Sequence, residues 1–222
     1  KKELLDTAPY DQLASSNMWS SDNLTDLGVN GIYSALRLGI NTSSASGNEL
    51  YQLDRFGSTG QTRDPQALLQ GTILPNNGLF SSNWQNFYEG IQRANDAILN
   101  IPLKSPSAEA KKGRLLAEAK FLRAYFYFQL NVLWKGVPVY LEPFNISEAT
   151  RPRETEAKVW EVILKDLTDA INEPNLPNKY AKGNTSFGRV TKSAAYALRG
   201  KAYIYQGQYA QAAADFAKVK EL

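Results

Sequence analysis

Residues 117–144 read AEAKFLRAYFYFQLNVLWKGVPVYLEPF. Apolar or small side chains fall at Leu115, Ala119, Leu122, Phe126, Leu130 and Leu133, the three-to-four spacing of one helix face. Phe121, Tyr125, Phe128 and Val132 make a second face, so the apolar surface wraps most of the way round. A helix apolar on nearly all sides sits in the middle of a larger structure and needs partner helices on both flanks. The run stops abruptly at Gly136 and Pro138. The pattern predicts a helix over 108–134 and a short extended segment over 136–140.

Working outward, Ser20 or Ser21 with Asp22 and Asn23 forms an N-cap signal for a helix carrying Leu24, Leu27, Val29, Ile32 and Leu36. A second helix is expected over 82–100, its buried line Phe87, Ile91, Ala94 and Ile98. Trp84 and Tyr88 lie one turn apart on an adjoining stripe, and Pro102 and Pro106 close the helix. Arg151-Pro152-Arg153 leads into a further helix with Val159, Ile163, Leu167, Ala170 and Ile171 on one side, ending near Pro174 and Pro177. Two more helices, 192–206 and 209–222, join through Gly207-Gln208. Residues 4–9 read as an extended arm and 177–188 as a turn-rich loop. Residues 39–66 are rich in Gly, Ser, Thr and Asn, and a polar stretch of that length inside a domain reads as a functional loop.

The chain repeats itself internally. Ala119-x-x-Leu122-Arg123-Ala124-x-x-Tyr127 matches Ala195-x-x-Leu198-Arg199-Gly200-x-x-Tyr203, and the second copy fits the tetratricopeptide pattern through Tyr196, Gly200, Tyr203, Gly207, Ala212 and Phe216. Small residues at Gly200 and Ala212 let two helices approach, and Tyr203 and Phe216 fill the groove between them. The fold class is therefore mainly all-α: tetratricopeptide-like helix pairs, within 108–172 and 192–222, separated by long irregular loops. A repeat of this kind buries its outer face on a neighbour, so Leu198, Ala202, Ala213 and Phe216 are expected to mark an apolar strip along 192–222.

Composition narrows the chemistry. The 222 residues contain no Cys and no His, which removes thiol nucleophiles, Ser-His-Asp triads, disulfides and most zinc sites. A formal net charge of +3, with the basic residues spread along the chain, disfavours nucleic-acid binding. No run of 18 apolar residues spans a membrane. Glycoside hydrolysis needs two carboxylates about 5 to 10 Å apart, whereas Glu154, Glu156, Glu161, Asp166 and Asp169 read as solvated helix faces. No phosphate loop, EF-hand loop or metal-ligand cluster appears. The expectation is a protein without enzymatic activity, cofactor or metal.

The run Ala117-Glu118-Ala119-Lys120-Phe121-Leu122-Arg123-Ala124-Tyr125-Phe126-Tyr127-Phe128-Gln129-Leu130, followed by Gly136-Val137-Pro138, resembles the signature helix of the SusD/RagB family. The resemblance extends over nearly the whole chain. It takes in Leu5-Asp6-x-x-Pro9, Trp19 with Gly31-Ile32-Tyr33, and Trp84-x-x-x-Tyr88-x-x-Ile91-x-x-Ala94-Asn95. It continues through 151–170 and Gly188-Arg189-Val190-Thr191-Lys192. Residues 1–222 accordingly resemble the N-terminal region of such a protein. The resemblance implies a surface-exposed outer-membrane lipoprotein, anchored through a lipidated Cys that this chain lacks. It would capture an oligosaccharide or other nutrient for a TonB-dependent (SusC-like) outer-membrane transporter.

Sugar recognition combines flat aromatic rings, which pack on the C–H faces of pyranoses, with Asn, Asp, Arg or Gln for the hydroxyls. The loop 41–64 and the segment 75–84 offer that mixture, and Tyr51, Arg63, Asp64, Asn77, Asn83 and Trp84 are the glycan-binding candidates. For Trp84 the competing reading is a core residue at a helix start; for Asn77 it is the turn Asn77-Gly78. The alternative function is a tetratricopeptide-type adaptor for protein–protein interaction, which the long loops between the repeats disfavour.

Overall fold

A computed structural model of the protein describes residues 17–37, 70–145, 147 and 149–222. Among these are six helices and no strand: α1 (Asp22–Ala35), α2 (Gly78–Lys104), α3 (Glu109–Trp134), α4 (Glu156–Asn172), α5 (Lys192–Tyr205) and α6 (Tyr209–Glu221). The all-α expectation holds. Each helix packs on the next, and α1 also touches α3, so α3 has neighbours on most of its circumference. That position explains its composition: Leu115, Ala119, Leu122, Ala124, Phe126, Tyr127, Phe128 and Leu130 are buried. Each large apolar side chain withdrawn from water contributes about 1.5–3 kcal/mol.

Local chemistry sets the helix starts. Ser21, Thr155 and Thr191 accept from the backbone N–H groups of Leu24, Lys158 and Ala194, capping α1, α4 and α5. Between α5 and α6, Gly207 adopts φ +70°, a conformation open to glycine.

The end of α3 is built differently. Lys135 takes a left-handed φ of 56°, and Gly136 follows at φ 81°. A Cβ on Gly136 would stand 2.5 Å from the carbonyl oxygen of Glu154, so the two ends of the α3–α4 connection cross in contact. Arg153 Nε donates to Gly136 O at 2.9 Å, its Nη2 bonds the carbonyls of Trp134 and Lys135, and Glu154 N donates to Val137 O. Asn131 donates to Glu156 O and accepts from Gly136 N. The connection is thus a loop whose entry and exit are clasped together.

Several polar groups lie inside. Arg123 meets Asp166 through two parallel bonds, Nε to Oδ2 at 2.7 Å and Nη2 to Oδ1 at 2.8 Å. Burial works against the guanidinium charge, but the Asp166 bonds and charge outweigh it and its pKa is raised. Glu118, fully buried, accepts from Arg114, Arg189 and Tyr33. In the second repeat Arg199 forms the same two-bond contact with Asp215, both at 2.7 Å.

Four sequence expectations shift. Asp166 is not on a solvated face: it is 2 % exposed, because Arg123 supplies the countercharge that permits burial. Helix α1 turns Thr25, Val29, Ile32 and Ala35 inward and leaves Leu27 exposed; the Thr25 hydroxyl is satisfied by Ser21 O and Ser105, so it buries without penalty. Helix α2 begins at Gly78 and runs through Pro102 to Lys104, its buried line passing through Ala97 and Ile101 with Ile98 only half-buried. Finally, the exposed apolar strip on α5 and α6 comprises Ile204, Tyr205, Tyr209, Ala213 and Phe216, while Ala202 is buried and Leu198 packs on the core. Gly200 does lie at the helix contact, where a Cβ would meet the Phe216 ring at 2.9 Å.

Candidate functional site

Trp84, Tyr88 and Gln92 recur every fourth residue along α2 and share one face. The clasped α3–α4 loop runs over that face and is held there by side chains of α2 and α3. Tyr88 Oη donates to Pro138 O at 2.7 Å. Asn95 Nδ2 donates to the carbonyls of Tyr140 and Glu142, both at 3.0 Å. Tyr127 Oη both donates to Tyr140 O and accepts from Tyr140 N. The Gln92 amide pairs in both directions with the Phe144 backbone, and Arg123 Nη1 donates to Leu141 O. Burial, reinforced by neighbouring phenols, pushes the Tyr88 pKa upward; burial does the same to Tyr127, against the bond to Tyr140. Both phenols therefore stay neutral and keep donating throughout the physiological range.

The rings gathered by this arrangement form a continuous series. Trp84 lies 5.0 Å from Tyr88 and edge-on to Trp134 at 5.4 Å, Tyr88 is edge-on to Tyr140 at 5.9 Å, and Tyr140 stacks on Phe144 at 4.1 Å. Between α2 and the loop is an open cleft of about 400 Å³, lined by Trp84, Tyr88, Tyr140 and Phe144 together with Gln85, Glu89, Gln92, Pro138 and Ala149. Aromatic walls with a few polar groups suit a small neutral ligand that carries one apolar face.

Of the residues singled out in the sequence, Tyr51, Arg63 and Asp64 lie outside the described residues. Asn77 is exposed just ahead of α2, its carbonyl accepting from Phe80 N. Asn83 is 8 % exposed, within the packed side of α2. Trp84 is half-buried and is at once a packing ring and a wall of the cleft. Sequence reasoning paired Trp84 with Tyr88 but missed Gln92, Tyr140 and Phe144. The every-fourth-residue stripe pointed to Gln92, whereas nothing local in the sequence signalled that the loop folds back over α2.

Among the described residues no group of acidic side chains could hold a metal ion, and no helix is long and apolar enough to cross a membrane. In its described residues the chain is thus an all-helical scaffold with a preformed aromatic cleft. It belongs to the SusD-like family: residues 3–204 match the family described as "Starch-binding associating with outer membrane". It is 26% identical over 210 residues to SusD-like protein P38 of Formosa agariphila, covering 94% of this chain and 40% of that protein. The solved structure of a laminarin-binding SusD-like protein matches with a TM-score of 0.77 at 30% identity, over 90% of this chain and 44% of the other. Surface glycan-binding protein A from Bacteroides uniformis matches with a TM-score of 0.77 at 25% identity, over 90% and 45% of the two chains. The chain spans about two-fifths of the length of the curated relatives it matches.

Proposed function

We propose that the protein binds oligosaccharide at the outer-membrane surface and passes it to a TonB-dependent transporter, breaking no bond. The observation that carries this reading is the family match over residues 3–204. The aromatic cleft, and relatives named for laminarin and surface-glycan binding, support it. In this reading the helix pairs α3/α4 and α5/α6 serve as a rigid tetratricopeptide-like frame, and a lipid anchor holds the protein at the membrane. The candidates Tyr51, Arg63, Asp64 and Asn77 would contribute hydroxyl contacts beside Trp84.

Affinity electrophoresis through gels containing laminarin, soluble starch or other neutral polysaccharides tests binding. Retarded migration in at least one gel, with no reducing ends released on prolonged incubation, is the expected result. Unretarded migration in all of them, with specific capture of a peptide, would replace this reading with the adaptor. Hydrolysis abolished by a single Asp or Glu substitution would replace it with an enzyme. Co-purification with a SusC-like transporter tests the partnership separately.

A further inference from the structure

The geometry points to the cleft between α2 and the clasped loop as a pyranose-binding subsite, with Trp84 and Phe144 as the ring platform and the Trp84 indole N–H and Gln85 amide as hydroxyl contacts. This inference rests on the glycan-binding reading and gives it a place.

Hydrogen-bonding groups of the cleft divide into those the fold uses and those it leaves over. The backbone groups of the loop that face α2 and α3 are taken: Pro138, Tyr140, Leu141, Glu142 and Phe144 all bond to side chains of those helices. An extended peptide adding along the loop would find no free row of N–H and C=O groups there. Among the described residues none bonds the Trp84 indole N–H or the Gln85 amide, and Gln85 is exposed at the cleft. A donor and a two-sided amide beside exposed ring surface match a hydroxylated ring better than a hydrocarbon.

Charge narrows the ligand further. Among the described residues the one carboxylate lining the cleft, Glu89, is paired with Arg93 on its own helix. The ligand that fits is therefore neutral, a hexose chain before a uronic acid or a sulfated glycan. The loop wall of the cleft is also held in place. Tyr140 and Phe144 are stacked, and the backbone of both is anchored by side chains of α2 and α3, so the platform needs little ordering on binding. The cleft volume, about 400 Å³, lies within the usual range for small-molecule sites.

The test uses ¹⁵N-labelled protein, whose four Trp residues give four indole N–H signals, with Trp84→Phe assigning one of them. Laminarin-derived and starch-derived oligosaccharides are titrated in turn. The expected result is a shift of the Trp84 indole signal with the bound sugar. Gln85→Ala and Phe144→Ala should each weaken binding about tenfold, the range of one good ring or hydrogen-bond contact. The Gln85 side chain is exposed and makes no hydrogen bond among the described residues, so its variant should melt near the unsubstituted temperature and report binding alone. Binding of undiminished strength in both variants, with the Trp84 signal unmoved, would overturn the subsite and leave the glycan-binding reading standing. Absence of binding to every oligosaccharide by the unsubstituted protein would overturn both.

Discussion

The two helix pairs, α3/α4 and α5/α6, are fastened by the same device in different surroundings. In each, an arginine at the same repeat position, Arg123 or Arg199, grips an aspartate of the following helix through Nε and Nη2. In each, Nη1 reaches back to the preceding helix, to Asn95 of α2 in one case and Thr168 of α4 in the other. The difference is water. The side chains of Arg123 and Asp166 are 7 % and 3 % exposed, whereas those of Arg199 and Asp215 are 16 % and 7 % exposed, and Arg199 has the rings of Tyr196 and Tyr203 beside it in place of a sealed interior. A repeated sequence thus gives a repeated contact, but burial decides what the contact does. Inside, the pair is indispensable once formed, since losing one partner strands a charge. At the rim, solvent takes over part of the role.

The largest expected effect exploits that contrast. Arg123→Ala should cost about 3–5 kcal/mol, because Asp166 would be left buried without its countercharge. Arg199→Ala should cost less, about 1.5–3 kcal/mol, the range for hydrogen bonds to a charged group, because water reaches the more open Arg199 end of the pair. For a chain of this size the difference is visible in thermal melts, at about 2–4 °C per kcal/mol. Equal losses would mean that burial does not distinguish the two pairs.

Glycines sharpen the comparison at the next level. A Cβ on Gly90 would fall 2.4 Å from the buried Phe126 ring, and one on Gly200 2.9 Å from the more exposed Phe216 ring. Gly90→Ala should therefore destabilise by about 1–3 kcal/mol by overpacking. Gly200→Ala should stay within about 1 kcal/mol, since Phe216 can swing toward solvent and alanine favours the helix. Gly200→Leu asks for more room and should cost roughly 1–3 kcal/mol. A melt unchanged by that last substitution would displace Gly200 from the helix contact.

The smallest effect is an acid one, confined to the α3/α4 face. Asp169 is bonded by Lys120 of α3 and Lys165 of α4. Partial burial raises its pKa, but the two lysine bonds more than offset this, so the folded value lies below the ordinary 3.8. A depressed carboxylate pKa stabilises the fold above the unfolded value and loses that stabilisation as pH falls through the folded one. The loss should stay below about 1 kcal/mol, the scale of a solvent-facing pair. Denaturant midpoints measured between pH 5 and pH 2 should fall less steeply in Asp169→Asn than in the unsubstituted protein.

The same contrast governs how much could be read from sequence. Helix α4 was legible because Val159, Ile163, Leu167 and Ala170 announce one face, and all four are buried. Arg123 and Arg199 were visible as a repeat but not as clamps, because their partners lie 43 and 16 residues away and an isolated Asp looks solvated. In α1 the buried threonine concealed the true register. The proline in the last turn of α2 looked like a stop, although it removes only its own N–H and the helix continues two residues beyond it. Half of the cleft was legible, the part that a periodic helix carries. The other half depends on where a loop lands, and that is fixed by tertiary bonds from Gln92, Asn95 and Tyr127.

The clasp at Gly136 and Arg153 has a consequence for how such a protein diversifies. Because the loop is closed at its base, the helices on either side feel a fixed pair of attachment points whatever lies between them. Residues toward its tip could be lengthened, shortened or rewritten with little disturbance passing into α3 and α4, as in compact surface loops whose ends are held close. The frame would then be inherited while the wall facing α2 is exchanged, and related chains could acquire new ligand preferences one loop at a time without refolding the scaffold that carries them.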